Sequence, residues 1–572
     1  MRERIKRLLL HKEFAKARKR MDEYIKVGNL YDDEIAILDA TIYDSEGDEV
    51  GLFCSIKKGL EFNHRNYELY FMLGNYYAGI NPNQAYLCYE NALFYCDNQD
   101  VQIIEQQVLT LEKTAAIEVK KVAIVILSYN GYQITKQCIE SIRNNTSKQS
   151  YELVVIDNAS TDLSIKWLKD QKDIKLICNL ENKGFPEGCN QGILLAEKES
   201  DILLLNNDTL VPENAIFWLR MGLYENELVG ATGSVSNSCP NYQTISEQGV
   251  TNQNYADIAR KYNVPLIAPY EEKSWLVGFA LLIKRSALDQ VGLLDARFTP
   301  GNFEDNDICF RILEAGFNIR LCLNSFIYHY GSTSFNKDKE KFLALLETNE
   351  RKFIEKWGFH PSKYTYIKKE VIELIRQHTY DQFSVLDIGC GAGATLARIQ
   401  RNYPNTLLEG LEKNEQAAHI AKLLFPVKCG DIETIGISES KIYDYIILSG
   451  VMEHLHEPDK VLKKIRKHLK PGGRLLLSAY NIMYISALYQ IIQGKFYYGT
   501  LEALNKEHIR YFTGQDLITL LEECGYTICD FTYTESPYKL TKEEEDYLVL
   551  LSSKQENKKL HEAYQFIVSA TW

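Results

Sequence analysis

Short uninterrupted apolar runs, each ending in a polar cluster, recur along the chain from residue 121 onward. Lys121-Val-Ala-Ile-Val-Ile-Leu runs into Ser128-Tyr129-Asn130, and Leu153-Val-Val-Ile156 into Asp157-Asn158-Ala-Ser160. Ile174 to Cys178 leads to Asn182-Lys183-Gly184-Phe185, and Ile202 to Leu205 to Asn206-Asn207-Asp208-Thr209. Apolar runs without alternation predict strands buried on both faces of a parallel sheet. Helical periodicity fills the gaps: Ile134, Cys138 and Ile142 share one face, and Asn190 lies in the helix after the third strand. Ligands collect at the carboxyl ends of such strands, which is where the polar clusters fall. A second series starts at Val385-Leu-Asp387-Ile-Gly389-Cys-Gly391-Ala-Gly393, a strand entering a glycine turn. Helices are expected from Ile367 to His378 and from Pro458 to Lys470, the latter with Val461, Leu462, Ile465 and Leu469 on its buried face.

Upstream of residue 115 the pattern is helical throughout. Leu73, Gly74, Tyr77, Ala85, Tyr89 and Ala92 stand close to the spacing of a tetratricopeptide unit, and Gly59-Leu60 precedes Ala92-Leu93 by 33 positions. The region resembles a short tetratricopeptide array, which implies a concave face for a peptide or protein partner. The alternative is a helical hairpin that only packs on the next domain. The 572-residue chain is too long for one core. The patterns divide it into 1–117, helical and tetratricopeptide-like; 118–360; and 361–572.

Composition removes several classes. A net charge of -12 argues against a broad nucleic-acid footprint. No apolar run is long enough to span a bilayer or to serve as a signal peptide. The 13 scattered cysteines suit reduced thiols in the cytoplasm.

In the central region, Asp208 beside two amides suits a hard divalent cation that bridges phosphate oxygens. The alternative is an Asn/Asp turn capping the next helix, with Pro212 in its first turn. The acidic stretch Asn302-Phe-Glu304-Asp305-Asn-Asp307 opens another helix, where the dipole favours anions. The segments Ser128-Tyr129-Asn130, Asp157-Asn-Ala-Ser160, Asn182-Lys-Gly-Phe185, Asn206-Asn-Asp208 and Glu304-Asp305 together resemble glycosyltransferase family 2, a GT-A α/β fold. So does Trp275-Leu-Val-Gly278-Phe-Ala-Leu-Leu-Ile, which matches the family's acceptor-side strand. That resemblance implies inverting transfer from a nucleotide-sugar donor. Tyr129 and Asp157 then hold the nucleobase, with Ser128, Lys183, Asn190 and Asn207 also lining the donor. Asp208 and His329, in Tyr328-His-Tyr-Gly331-Ser332, hold a divalent metal (manganese or magnesium), and Asp305 is the base beside Glu304. The family's metal motif is often Asp-x-Asp, and here its first position is Asn206. The form of the acidic segment looks most like rhamnosyltransferase-type members.

In the last region Glu412 ends the strand Leu407 to Leu411, placed to hold ribose hydroxyls. Gly430-Asp431-Ile432 ends the next, where a carboxylate can bind an adenine amino group. Leu469-Lys-Pro471-Gly472-Gly473 precedes the strand Arg474 to Ser478. In this order the segments resemble a class I S-adenosylmethionine-dependent methyltransferase with a Rossmann-like α/β fold; a dehydrogenase is the competing reading of the glycine turn alone. The resemblance implies a cofactor pocket of Asp387, Gly389, Gly391, Gly393, Glu412, Asp431 and Ile432. Glu453-His454 matches a common family segment; a sugar hydroxyl gains from a base or a metal, so His454 is a candidate base, Glu453 and His454 are alternatively a cation site or only a wall of the cofactor pocket, and His508 is a second candidate base. The joint expectation is a bifunctional glycan-modifying enzyme, acting on a protein acceptor such as flagellin or on a lipid-linked glycan. A repeat-based assembly protein with one active catalytic domain is the alternative.

Overall fold

In the first helices, side-chain caps set the starts. The computed structural model describes residues 1–28, 30–97, 99–331, 339–498, 502–536, 539–551 and 558–572. Seven helices come first: α1 (Arg2–Leu10), α2 (Phe14–Lys26), α3 (Asp33–Glu46), α4 (Glu49–Phe62), α5 (Tyr67–Ala78), α6 (Pro82–Tyr95) and α7 (Val101–Thr114). Asp32, Asp48, Asn66 and Asn81 each accept a backbone N–H of the turn they start, and Pro82 follows Asn81 in the first helical turn. Helices α5 and α6 approach closely because Gly74 presents no side chain to the Tyr89 ring. Gly59 likewise makes room for Ala36 and Leu69.

The chain divides into two compact units, Met1–Phe353 and Ile354–Trp572. The seven helices therefore belong to the same unit as the first sheet. Its strands are β1 (Val122–Ser128), β2 (Tyr151–Asp157), β3 (Ile174–Cys178), β4 (Asp201–Asn206), β6 (Val229–Val235), β7 (Tyr270–Glu272), β8 (Ala280–Ile283) and β9 (Asn318–Phe326), in the order β3-β2-β1-β4-β8-β6-β9-β7. Strands β1 to β4 are mutually parallel, and β8 runs antiparallel to β4 and β6. A two-stranded ribbon pairs β5 (Thr209–Leu210) with β10 (Tyr328–His329).

Helix Ala215–Leu223 joins helical region to sheet. Every one of its residues is buried, and all but Arg220 are apolar or glycine. One hydrophobic cluster runs from Leu60, Tyr70 and Leu87 through Phe217 and Trp218 to Ile124 and Leu203. Polar bonds fix the joint: Asn81 Nδ2 donates to the carbonyls of Tyr224 (2.9 Å) and Glu225 (2.8 Å), and Gln84 Nε2 to Met221 O (2.9 Å). Arg220 pairs with Glu90. A face of the helical region is thus occupied by the chain's own sheet unit. The capping alternative for Asp208 also fails, because this helix starts at Ala215 behind Asn214, beyond Pro212.

The second unit carries β11 (Ser384–Ile388), β12 (Leu407–Glu412), β13 (Val427–Cys429), β14 (Tyr443–Ser449), β15 (Leu469–Tyr480), β16 (Thr527–Thr534) and β17 (Gln565–Thr571). Their order is β13-β12-β11-β14-β15-β17-β16, parallel except for β17, which runs antiparallel to β15 and β16. The strand order reverses between β11 and β14, where such sheets bind ligands.

Three sequence expectations change. The helix expected from Ile367 to His378 spans only Lys369–Ile372. Side chains capture the amides that would extend it: Arg376 N donates to Tyr445 Oη (3.1 Å) and His378 N to Asp381 Oδ2 (2.8 Å). The helix from Pro458 ends at Arg466, and Leu469 instead opens β15 opposite Tyr443. Its predicted burial is correct, but in the strand. Of Trp275 to Ile283, only Ala280–Ile283 is strand. Ser332 lies outside the described residues.

Asn214 tests the joint. It is buried in the left-handed region (φ 62°), accepts from Asn91 Nδ2 (3.1 Å) and Tyr95 Oη (3.0 Å), and donates to His64 O (3.0 Å). Asn214→Ala should cost about 2–4 kcal/mol, from orphaned buried partners and left-handed strain. Urea unfolding of the full chain measures it; a loss under 0.5 kcal/mol contradicts this account of the joint.

Candidate functional site

Register brings the polar strand ends of the first unit together. Ser128 stands opposite Asp157, Leu127 opposite Asn206, and Asp157 opposite Cys178, so four neighbouring strands end at one edge. The loops there interlock. Asn158 N donates to Ser128 O (2.7 Å), Asn130 N to Ser160 Oγ (2.7 Å), and Thr161 N to Asn130 Oδ1 (2.8 Å). Asp157 is fully buried; Oδ1 accepts from Ser160 N (2.9 Å), while Oδ2 has no hydrogen-bond partner. An acceptor-only oxygen left open suits a ligand N–H. Tyr129 is half exposed beside it, and Lys183 at the rim pairs with Glu181 (2.8 Å). Ser128 is enclosed, its hydroxyl 3.4 Å from Thr135 Oγ1. Asn158, absent from the sequence candidates, organises this corner: it binds Asn182, Asn179, the Lys183 amide and Gly184 O. Asn190 exchanges two bonds with the Leu294 main chain (2.8 and 2.9 Å), which occupies both ends of its amide.

The β5–β10 ribbon sets His329 against Asp208. His329 Nε2 lies 3.2 Å from Asp208 Oδ1, and Nδ1 lies 2.8 Å from Ser238 O. The Ser238 carbonyl accepts from Nδ1–H, so the bond to Asp208 is made by a protonated Nε2; a metal ion would take that proton's place, with the ring held in the orientation common to metal-binding histidines. Burial opposes the imidazolium, but the Asp208 hydrogen bond and charge outweigh it, so the His329 pKa is raised. One carboxylate, one imidazole and ligand phosphate oxygens make a donor set that fits manganese or magnesium. Among the described residues, no three His, Cys, Asp or Glu side chains cluster as a metal site. Asn207 Nδ2 donates to Thr135 Oγ1 (2.9 Å) and braces the turn.

Glu304 and Asp305 open the helix Glu304–Glu314 behind left-handed Asn302 and Phe303. Asp305 Oδ2 accepts from Gly278 N (3.1 Å) and Oδ1 from Asn306 N (2.8 Å). Val277 N donates to Gln243 Oε1 (2.8 Å). These side chains take amides that a ladder would need, which explains why Trp275–Phe279 is not strand. Burial pushes Asp305 up to about 6 and, with the neighbouring charge of Asp305, Glu304 well above the ordinary carboxyl range.

In the second unit, Gly389, Gly391 and Gly393 all have positive φ. A Cβ on Gly389 would meet Val451 Cγ2 at 2.6 Å. Glu412 Oε2 accepts from Gly391 N (2.9 Å) and Oε1 from Asn414 N (2.7 Å). Asp387 is fully buried, bonded through Oδ1 to Lys368 Nζ (3.1 Å), with Oδ2 unpartnered. Lys368 also reaches Gly389 O (2.7 Å), and Ala392 N donates to Tyr364 O (2.7 Å). The 364–368 segment thus lies on the glycine turn; sequence reading missed it because it follows no spacing rule. Asp431 pairs with Lys413 (2.7 Å), which helps lower its pKa against burial, and Ile432 is buried beside it. Glu453 Oε1 accepts from Tyr480 N (2.6 Å), and His454 Nδ1 lies 3.1 Å from Glu507 O.

Family comparison decides what these two edges belong to. Residues 123–290 match the glycosyl transferase family 2 model, and residues 337–530 match a methyltransferase-domain model. The chain carries a family 2 glycosyltransferase domain and a methyltransferase domain. A ubiquinone biosynthesis O-methyltransferase of Coxiella burnetii is 24% identical over 180 residues, 30% of this chain and 73% of that protein. GalNAc-T7, solved with UDP, GalNAc and Mn2+, is 14% identical at a TM-score of 0.31, covering 50% of this chain. The chain spans about half the length of that structure, 55%. A methyltransferase structure from Mesorhizobium loti is 14% identical at a TM-score of 0.26, covering 35% of this chain and 95% of that one.

Asp305 offers a pH test in the glycosyltransferase domain. Its folded pKa lies above the ordinary carboxyl value of about 3.9, so its stabilising contribution is complete below pH 3.9 and is lost as pH rises through about 6. Asp305→Asn loses one acceptor for Gly278 N or Asn306 N at every pH, so its effect on stability should be more favourable at pH 8 than near pH 4 by about 1–3 kcal/mol. Denaturant melts at both pH values measure this; equal effects at both contradict the buried-acid account.

Proposed function

We propose that the chain is bifunctional: it transfers a sugar from a nucleotide donor to a glycan acceptor with inversion, and it methylates a sugar hydroxyl. The single observation that carries the first half is the Asp208–His329 pair on the β5–β10 ribbon, at the sheet edge where Asp157 holds an open acceptor oxygen. Tyr129 and Asp157 bind the nucleobase, and Ser128, Lys183 and Asn207 shape the donor pocket; Asn190, committed to Leu294, supports the pocket wall instead. A divalent cation held by Asp208 and His329 would neutralise charge on the departing diphosphate. Asp305 takes the acceptor proton. Glu304, neutral in its burial, keeps a second charge away from it. The rhamnosyltransferase-like form of the acidic segment favours a deoxyhexose donor.

Asp387, the three glycines, Lys368, Glu412, Asp431 and Ile432 form the pocket for S-adenosylmethionine, which supplies an electrophilic methyl group when bound. The orphaned Asp387 oxygen and the turn's lack of space for a Cβ support that fit. Linking both domains in one chain raises the local concentration of the glycan for the second step. The acceptor is carried on a protein, flagellin or another surface protein, or on a lipid, and the reactions take place in the cytoplasm. The helical region offers a protein-binding face away from the helix Ala215–Leu223.

Thermal unfolding of the full chain tests both halves. A specific ligand at ~100 times its Kd adds about 2.7 kcal/mol to the unit that binds it. One nucleotide sugar with manganese should shift the transition of Met1–Phe353, and Asp208→Ala should remove that shift. S-adenosylhomocysteine should shift Ile354–Trp572. If only the adenosyl ligand acts, sugar transfer is refuted and an assembly protein with one active domain remains.

A further inference from the structure

We propose that His508 takes the proton from the hydroxyl that the methyltransferase domain methylates. This rests on the methyltransferase reading and adds a catalytic residue to it. His508 lies in the segment 505–510, which Ile509 N and Arg510 N fasten to Glu453 O (2.9 and 3.0 Å) just past the carboxyl end of β14. Tyr480, the last residue of β15, stacks on the imidazole with ring centres 5.8 Å apart and planes 28° apart. His454 meets it edge-on at 4.9 Å. Lys363 pairs with Glu507, while its neighbour Tyr364 accepts from Ala392 N in the glycine turn. One short segment therefore touches both the glycine turn and the loop that carries His508. The imidazole stands at the same sheet edge as the cofactor pocket.

The ring itself is the unusual feature. His508 is 7% exposed, and its Nδ1 is enclosed without a hydrogen-bond partner. An enclosed ring nitrogen left unbonded is costly unless a ligand completes it. His454 differs, because its Nδ1 is tied to Glu507 O. Burial first, then the charges of His454 and Lys363 against the opposing Glu507, hold His508 down to about 4, so its lone pair is free at ordinary pH.

The chemistry balances without a further reagent. The acceptor O–H bond breaks and its proton passes to the imidazole. The oxygen electron pair forms the new C–O bond, and the C–S pair returns to sulfur, which leaves as a neutral thioether.

The test uses the full chain with radiolabelled S-adenosylmethionine and simple methyl pyranosides, methyl rhamnoside among them, as acceptor probes. Calorimetry with S-adenosylhomocysteine is the second readout. His508→Asn and His508→Gln should bind S-adenosylhomocysteine within twofold of the parent yet transfer methyl about 10²–10⁴-fold more slowly. Transfer within tenfold of the parent overturns the inference alone. So does loss of affinity in step with rate, which marks a structural role. A parent that binds S-adenosylhomocysteine but methylates no pyranoside overturns the sugar reading and the inference with it.

Discussion

Both sheets end in carboxyl groups that the fold buries without giving them full partners. Asp157 and Asp387 are each fully buried with one oxygen unbonded, and Glu304 is nearly so. Burying an acid costs free energy unless it is paired or neutral. The strands that deliver these acids meet the cost through their apolar lengths: β1, β2, β4, β11 and β14 are enclosed almost throughout. Neighbouring parallel strands end in step, so register alone gathers the acids on one edge. The rest of each domain can then be read as support for that edge. Interlocked loops hold Asp157, Gly278 fixes Asp305, and Lys368 holds Asp387.

Contiguous chemistry was legible in the sequence. The strand ends, the glycine turn and the acidic helix start are each one uninterrupted stretch, and their order alone predicted two α/β sheets with ligand edges. The pairing of Asp208 with His329 was legible only through family resemblance, because 121 positions separate them. Missed were groups whose role comes from a distant amide. Gln243 reaches Val277, Ser238 O orients His329, and Lys368 reaches Asp387. No spacing rule announces such residues, since their geometry depends on where a loop folds back. The shortened helix at Lys369 has the same origin: Tyr445 and Asp381 supply acceptors that local propensity cannot foresee.

The helical region shows why repeat-like spacing underdetermines a surface. Tyr70, Tyr89 and Ala92 sit where helix pairs need them, whether the pairs form an open array or a buttress. What distinguishes the two lies elsewhere, in the helix Ala215–Leu223. A helix that is apolar but for Arg220 and buried at every position needs cover on both sides. The sheet provides one side; Tyr70 against Phe217, ring centres 5.5 Å apart, and Gln84 on Met221 provide the other. Much of the helical region's contact surface is therefore part of the glycosyltransferase unit's core. Only its remaining faces are open to a partner.

The replacement of an acid by Asn206 has a consequence for the proposed metal. Asn206 uses its backbone in the ladder, donating to Phe279 O (2.8 Å) and accepting from Thr209 Oγ1 (2.8 Å). The strand end is thus kept intact while one negative charge is absent. Asp208 with a neutral His329 offers a net charge of one, not the two of a paired-acid site. Magnesium, which favours oxygen donors, gains less from an imidazole than manganese does. Most of the attraction for the cation must then come from the donor diphosphate itself. Such a site would hold metal weakly when empty and firmly when the donor is bound, which ties metal occupancy to the arrival of substrate.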